Sequence, residues 1–442
     1  MISTIIIKEI STILRSKVFI ISFLSIFILS GVCILVQVDN FNNKQKEYSD
    51  YLVVHHQLIN SITINYDNSL WLWPDKPVPN LLMFSNGIGQ IMRMPSLDRN
   101  TITQLFPDVD FCTIISILFS LMAVLFSFNA ICGEKEDGTL RLIFSSPMKR
   151  STFIIAKWLG GTICLALCLV ICLLFAIIVI LFNANIDFQV VDWLSILSIL
   201  ITGVIYISLF YLIGLYISSK TFQSHISMLI SLLVWGICIL ILPSIPDFMG
   251  KLISPSPSMA EFIYESEYQI QTEKIKSIDN IRNKYINRGY SENIIDSLSK
   301  DEIAKSLNEF NEKQNMIQSD FGRKTQLQTI ISTTMALISP YSCFILTCNE
   351  LTDCGIYSQI RFRNISQDYH STLWNFIETR KEDFRKNNSS KLSLTGYPVF
   401  KYIEPSFKER LMVGGVPIIV LILYNILFFV LTFNAFLKYD LR

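Results

Sequence analysis

Residues 132–157, CGEKEDGTLRLIFSSPMKRSTFIIAK, decide how the rest of the chain is read. They form a polar stretch between two apolar runs, 111–131 and 158–182, each long enough to cross a bilayer at about 20 residues per crossing. The stretch is patterned. Acids stand at Glu134, Glu136 and Asp137, followed by a Gly138-Thr139 turn and an apolar run of Leu140, Leu142, Ile143 and Phe144. Ser146-Pro147 and the basic pair Lys149-Arg150 close it. Glycine marks a break, and proline stops a helix because it lacks the N–H and clashes with the preceding turn. The order predicts a broken helix, a turn, a short helix with an apolar face and a proline stop. A short amphipathic helix hung under a membrane suits docking into a groove on a soluble partner.

Working outward, four more apolar runs of spanning length occur at 18–38, 193–217, 226–245 and 413–437. Six spans put both termini on one side. Lys and Arg decide which side, because they accumulate in cytoplasmic segments. The segments on the side of residues 132–157 carry Lys8, Arg15, Lys17, Lys135, Arg141, Lys149, Arg150, Lys157, Lys220, Lys438 and Arg442. The short turn 183–192 on the other side has no basic residue and two acids, Asp187 and Asp192. Both termini are therefore expected in the cytoplasm, with residues 438–442 as a short tail. Residues 1–17 put Ile6, Ile10, Ile13 and Leu14 on one helical face, with Lys8, Glu9 and Arg15 off it, an interfacial pattern. A signal peptide fits less well, since the apolar run is too long and no small-residue cleavage site follows.

Composition agrees with this reading. The chain has 442 residues, 51% of them hydrophobic and 17% charged, with a mean hydropathy of +0.43, the balance of a membrane protein. A net charge of +1 without a basic face argues against nucleic acid as a partner. No Asp, Glu, Lys, Arg or His lies inside the six runs, which counts against an ion-coupled transporter, whose relays need such groups. The chain also lacks G-x-x-x-x-G-K-[ST], so the usual phosphate loop is absent and energy must come from a separate subunit. A membrane enzyme is disfavoured: no H-E-x-x-H occurs, and His225 alone of the four histidines lies near an inner boundary.

Seven of the ten cysteines fall in or beside apolar runs, where the thiol behaves as a small hydrophobe. Gly160, Cys164, Cys168 and Cys172 recur every four residues; the small-residue stripe suits close helix packing. A Cu(I) path is the competing reading, but no Met or His joins the stripe. His55 and His56 point to different faces and read as surface histidines.

Two extracytoplasmic regions are expected. Residues 39–110 hold Trp71, Trp73, Pro74, Pro77, Pro79 and a glycine-containing link at 85–95. Residues 246–412 are larger. Pro246, Pro255 and Pro257 are expected to stop the fifth span. Phe262, Ile263, Ile270, Ile278, Ile281 and Tyr285 suit one helix, and Arg288-Gly289 breaks it. Ile303, Leu307, Phe310, Ile317 and Phe321 suit a second, so an antiparallel helical hairpin is predicted. Residues 333–348 are too short to span and read as interfacial or re-entrant. Cys343, Cys348 and Cys354 face the oxidising side, where any one pair of them could bridge. Residues 356–384 read as an amphipathic outer helix, and 387–390 as a loop. The predicted fold class is an all-α polytopic membrane protein with six transmembrane helices and a mainly helical extracytoplasmic domain.

The pattern E-K-E-D-G-T-L, then S-P, Arg150 and Lys157 seven residues on, resembles the coupling-helix signature of type-2 ABC exporter permeases. Arg141 stands where the family usually has an acid and Ala156 where it usually has Gly. The layout of 246–412 resembles a bacterial branch with a large external insertion between the fifth and sixth spans. The resemblance implies a permease subunit of a bacterial cytoplasmic (inner) membrane, without enzymatic activity or cofactor of its own. ATP and Mg would sit in a partner ABC ATPase subunit, beside a second permease subunit, identical or a sibling. The coupling residues it implies are Glu134, Glu136, Gly138, Thr139, Leu140, Phe144, Pro147 and Arg150. Glu134 and Glu136 would contact the ATPase, Leu140 and Phe144 fill its groove, and Arg150 anchor the segment at headgroups or the partner. The expected work is export of an amphipathic or lipid-like molecule. The alternative is mechanotransmission to a periplasmic partner protein.

Overall fold

The computed structural model describes residues 2–61, 74–87, 109–145, 149–183, 186–290, 294–295, 298–387 and 396–438. Pro147, Trp71, Trp73, residues 88–95 of the glycine-containing link, residues 388–390 and Arg442 lie outside the described residues. Among the described residues every regular element is helical and no strand occurs, and six helices are long and apolar enough to cross a membrane. The chain divides into two compact units, Met1–Ile239 with Pro340–Arg442, and Leu240–Ser339.

The first unit begins with α1 (Ile2–Arg15), which lies along a later helix, α7 (Arg150–Asn183). The sequence puts Glu9 off its apolar face. The structure turns Glu9 inward (8% exposed), and Leu14 outward (44%). Glu9 and Ile13 are one turn apart and so share a face, and an ion pair with Lys157 draws the carboxylate in. Next comes α2 (Lys17–Ser61), whose 45 residues rise about 68 Å, more than twice a hydrocarbon core of about 30 Å. The helix expected to end at Val38 thus runs on as a polar extension. His55, expected at the surface, is buried there against Tyr51, one turn away.

The second span, Phe111–Glu136, is irregular. Asp110 caps α3 (Phe111–Ile114) by accepting from Thr113 N–H, and a π-turn leads to α4 (Ser120–Ser127). The helix then breaks before α5 (Cys132–Glu136), and α6 (Thr139–Phe144) follows. After α7 the chain returns as α8 (Val190–Lys220), at whose start the Asp192 carboxylate accepts from Gln189 N–H at 3.0 Å.

The fifth span, Ser224–Ile253, does not stop at Pro246 as the sequence suggests. After α9 (Ser224–Gly236) it passes through a π-turn and a 3₁₀ turn into α10 (Ile245–Ile253). Pro243 and Pro246 each sit in the first turn of a new segment, where a missing N–H costs no hydrogen bond.

The second unit is built on α10, α11 (Met259–Ile263), α12 (Ile270–Ile286) and α13 (Lys300–Ala336). Its pairs run antiparallel. Phe262 stacks on Phe321 at 4.2 Å, Glu273 meets Lys313, Ser277 meets Ser306, and Glu302 accepts from Lys284 and Tyr285. The ion pairs are exposed and contribute little stability; register comes from the stacked rings and the seam.

Back in the first unit, α14 (Pro340–Leu351) is a buried 12-residue helix, about 18 Å long and too short to cross. It packs on α8 and on the last span, α16 (Phe407–Leu437), with Phe344 stacked on Tyr206 at 4.7 Å. Between them in sequence comes α15 (Ile356–Asn387). All ten cysteines are free thiols, so no pair among Cys343, Cys348 and Cys354 is bridged. Cys348 lies instead against Cys112.

The end of this unit remote from residues 132–157 closes with buried charges. Arg410 reaches Glu404 at 3.1 Å and Asp192 at 3.8 Å, and Lys76 holds Asp353 at 3.2 Å and the Ser358 hydroxyl. Glu350, on α14, accepts from Tyr357 N–H at 3.1 Å. Burial first, and Asp353 second, push its carboxyl from 4.5 to about 7. The folded chain therefore keeps a proton that the unfolded chain gives up near 4.5. The stability this adds is full at acid pH and is lost as pH rises through about 7. Thermal unfolding of detergent-solubilised protein should show a midpoint that falls between about pH 5 and about pH 7.5. Glu350→Gln should flatten that slope; an equal slope in the variant would assign it to other groups.

Candidate functional site

The polar segment is tied to the ends of α8, α9 and α16 and to the middle of α1, and it runs on into α7. Where the second span breaks, the Ser218 hydroxyl of α8 accepts from both Ile131 N–H (3.1 Å) and Cys132 N–H (2.8 Å), and Ser227 of α9 donates to Phe128 C=O. These bonds satisfy backbone groups that the break leaves open. Lys135 donates to the carbonyls of Ser219 and Thr221, closing the C-terminus of α8. The Glu136 carboxylate accepts from Ser224 N–H (3.0 Å) and the Ser224 hydroxyl at the start of α9, where a helix dipole favours negative charge. Arg150 donates to Leu437 C=O at 2.7 Å, at the C-terminus of α16.

The centre of the arrangement is Lys157. Its ammonium lies 2.8 Å from Glu9 of α1 and 2.7 Å from Glu134 of α5, with the lysine side chain 4% exposed. Gly160, one turn further on, makes this approach possible, because a Cβ there would stand 2.8 Å from the Glu9 Cβ. The Gly160–Cys172 stripe is otherwise buried helix packing: Cys164, Cys168 and Cys172 are at most 4% exposed, and Cys172 bonds Ser30 of α2. Among the described residues no three His, Cys, Asp or Glu could hold a metal ion.

Gly138 ends α5 with φ +70, the left-handed conformation that suits glycine at a helix C-terminus, and its N–H bonds Lys135 C=O. Among the described residues nothing beyond its chain neighbours comes within 4 Å of where its Cβ would be. Thr139 is also exposed. Beyond the turn, α6 divides its apolar residues. Leu140 (2% exposed) points inward, and Phe144, one turn on, joins Phe153 of α7 and Phe436 of α16 in a three-ring cluster. Leu142 faces out at 74% exposure. The spacing of 140 and 142 puts them on opposite sides of a helix, which a bare apolar run does not reveal.

Of the residues singled out by sequence, Glu134, Glu136, Leu140, Phe144 and Arg150 are thus engaged within the chain. Gly138 and Thr139 form the exposed turn, and Pro147 lies outside the described residues. The residues that sequence reasoning missed are Glu9, Ser218, Ser224 and Leu142. A family model described as ABC-2 family transporter protein matches residues 3–441. A search of curated proteins finds no match.

Proposed function

Because the chain belongs to the ABC-2 family of transporter proteins, we propose that it is the permease subunit through which a separate ABC ATPase subunit drives export of an amphipathic or lipid-like molecule. One observation carries this reading. A segment held to five helices leaves, among the described residues, an exposed Gly138–Thr139 turn and the Leu142 side chain open to a partner. Such a loop converts a push into helix motion without covalent chemistry.

In this mechanism ATP and Mg belong to the partner ATPase, and closure of its subunits presses the turn. Lys157 passes the displacement to α1 and α7, Lys135 and Ser218 to α8, Glu136 to α9, and Arg150 to α16. Two permease subunits, identical or sibling, would form the pathway in a bacterial cytoplasmic membrane, with both termini on the ATPase side. Spans free of ionisable interiors suit an amphipathic cargo. A second reading, mechanotransmission to a periplasmic partner protein, draws on the separate unit Leu240–Ser339, which begins within the fifth span and ends before the sixth.

Reconstitution of the chain with its ATPase subunit in lipid vesicles separates the two. Export predicts that ATP turnover responds to the amphipathic lipids supplied and that a labelled lipid changes leaflet. Turnover indifferent to every lipid, yet raised by a soluble periplasmic protein, would overturn export in favour of mechanotransmission.

A further inference from the structure

One feature of the first unit has no part in the coupling described above. The helices α7, α8 and α16 enclose a groove of about 460 Å³, walled by Ala166, Val204 and Ile422 among others and floored by Trp158, Ser208 and Asn425. The floor is a hydrogen-bonded rung. The Trp158 indole N–H donates to Ser208 Oγ (2.9 Å), the Ser208 hydroxyl donates to Asn425 Oδ1 (2.9 Å), and the Asn425 amide donates to the carbonyls of Ile205 (3.0 Å) and Leu421 (2.9 Å). Each of these donors is used within the protein, so the floor offers a ligand no N–H or O–H.

Depth along the helices fixes the surroundings. Trp158 follows the start of α7 by two turns, and Ser208 and Asn425 precede the ends of α8 and α16 by about three. At about 1.5 Å per residue the rung lies roughly 12–18 Å from the helix ends that hold the coupling segment, within the reach of the hydrocarbon layer. The rim is apolar and open, with Ile163 40%, Ile422 41% and Ile426 56% exposed. At that depth the occupant is a lipid tail or another spanning helix. A helix is about 10 Å across and rises about 5.4 Å per turn, so one turn would displace nearly the whole groove. A polymethylene chain is narrower and can thread it. The volume also falls in the range of about 300–1,000 Å³ usual for small-ligand sites.

We propose that the groove between α7, α8 and α16 is a binding site for one acyl chain of a bilayer lipid, taken from the leaflet next to the coupling segment. The three walls are helices whose ends that segment holds through Lys157, Lys135 and Arg150. A seated chain therefore wedges apart the helices that coupling must move together. The site stands whether or not a lipid is the exported molecule.

Labelling with a phospholipid that carries a diazirine on its acyl chain, in vesicles of the same phospholipid, tests this on the full chain. The photoadducts are mapped by peptide mass spectrometry. Adducts should concentrate on peptides containing Trp158–Ala166 and Ile422–Ile426. Ala166→Trp, which fills the groove, should lose them, and so should Val204→Phe on the opposite wall. Leu167→Trp, on the exposed face of the same helix (53%), should keep them. Even labelling of all exposed spans, or undiminished groove adducts in whichever filling variant folds, would overturn the site. Adducts lost on association of two permease subunits would show a second copy, not lipid, in the groove.

Discussion

Lys157→Met should destabilise the protein by about 3–5 kcal/mol, the range expected when one partner of a buried ion pair is removed. The size follows from what the substitution leaves behind. Glu9 and Glu134 are 11% and 17% exposed at the side chain, and both turn to the one ammonium. Without it two carboxylates face each other in a poorly hydrated place, and α1 is free to leave α7. Thermal unfolding in lipid nanodiscs should show a large drop in midpoint. The triple variant Lys157→Met, Glu9→Gln, Glu134→Gln should recover most of it, because neutral groups of similar volume remove the uncompensated charge. An unchanged midpoint in Lys157→Met would remove Lys157 from the centre of the site.

The spans were legible because length and apolarity are local properties, and the lipid leaves few alternatives to a helix. The Gly138 turn was legible for the same reason: one residue type meets one backbone requirement, φ +70. What sequence hid was set by partners far along the chain. Glu9 reads as a solvent-facing acid until Lys157 is placed beside it. Pro246 reads as a stop because its harmless place in a first turn depends on the π-turn and 3₁₀ turn before it. The polar extension of α2 past Val38 carried no spanning signal, although it is continuous helix to Ser61. The buried cap of Arg410, Asp192, Lys76 and Asp353 gathers residues from separate segments, none of which forms a motif.

The coupling residues show the same division. The pattern located the segment, but direction on α6 depends on the phase of a six-residue helix. Leu140 is 2% exposed and Leu142 74%, so on the proposed function the apolar contact offered to a partner is Leu142. This changes which substitution is informative. Leu140→Asp would bury a carboxylate and damage the fold itself. Gly138→Pro would force φ from +70 to about −65 and break the turn.

Leu142→Asp isolates docking, since the side chain is 74% exposed and packs little against the rest of the chain. An interface anchor of this kind is worth about 2 kcal/mol or more, roughly thirtyfold in affinity. The decisive measurement is therefore ATP turnover by the partner ATPase subunit, with and without this chain, comparing wild type and Leu142→Asp in the same vesicles. The chain should stimulate turnover, and Leu142→Asp should abolish that stimulation while its unfolding midpoint and insertion stay at wild-type values. Full stimulation by Leu142→Asp, or transport by the chain with no ATPase subunit present, would contradict a permease driven through this turn.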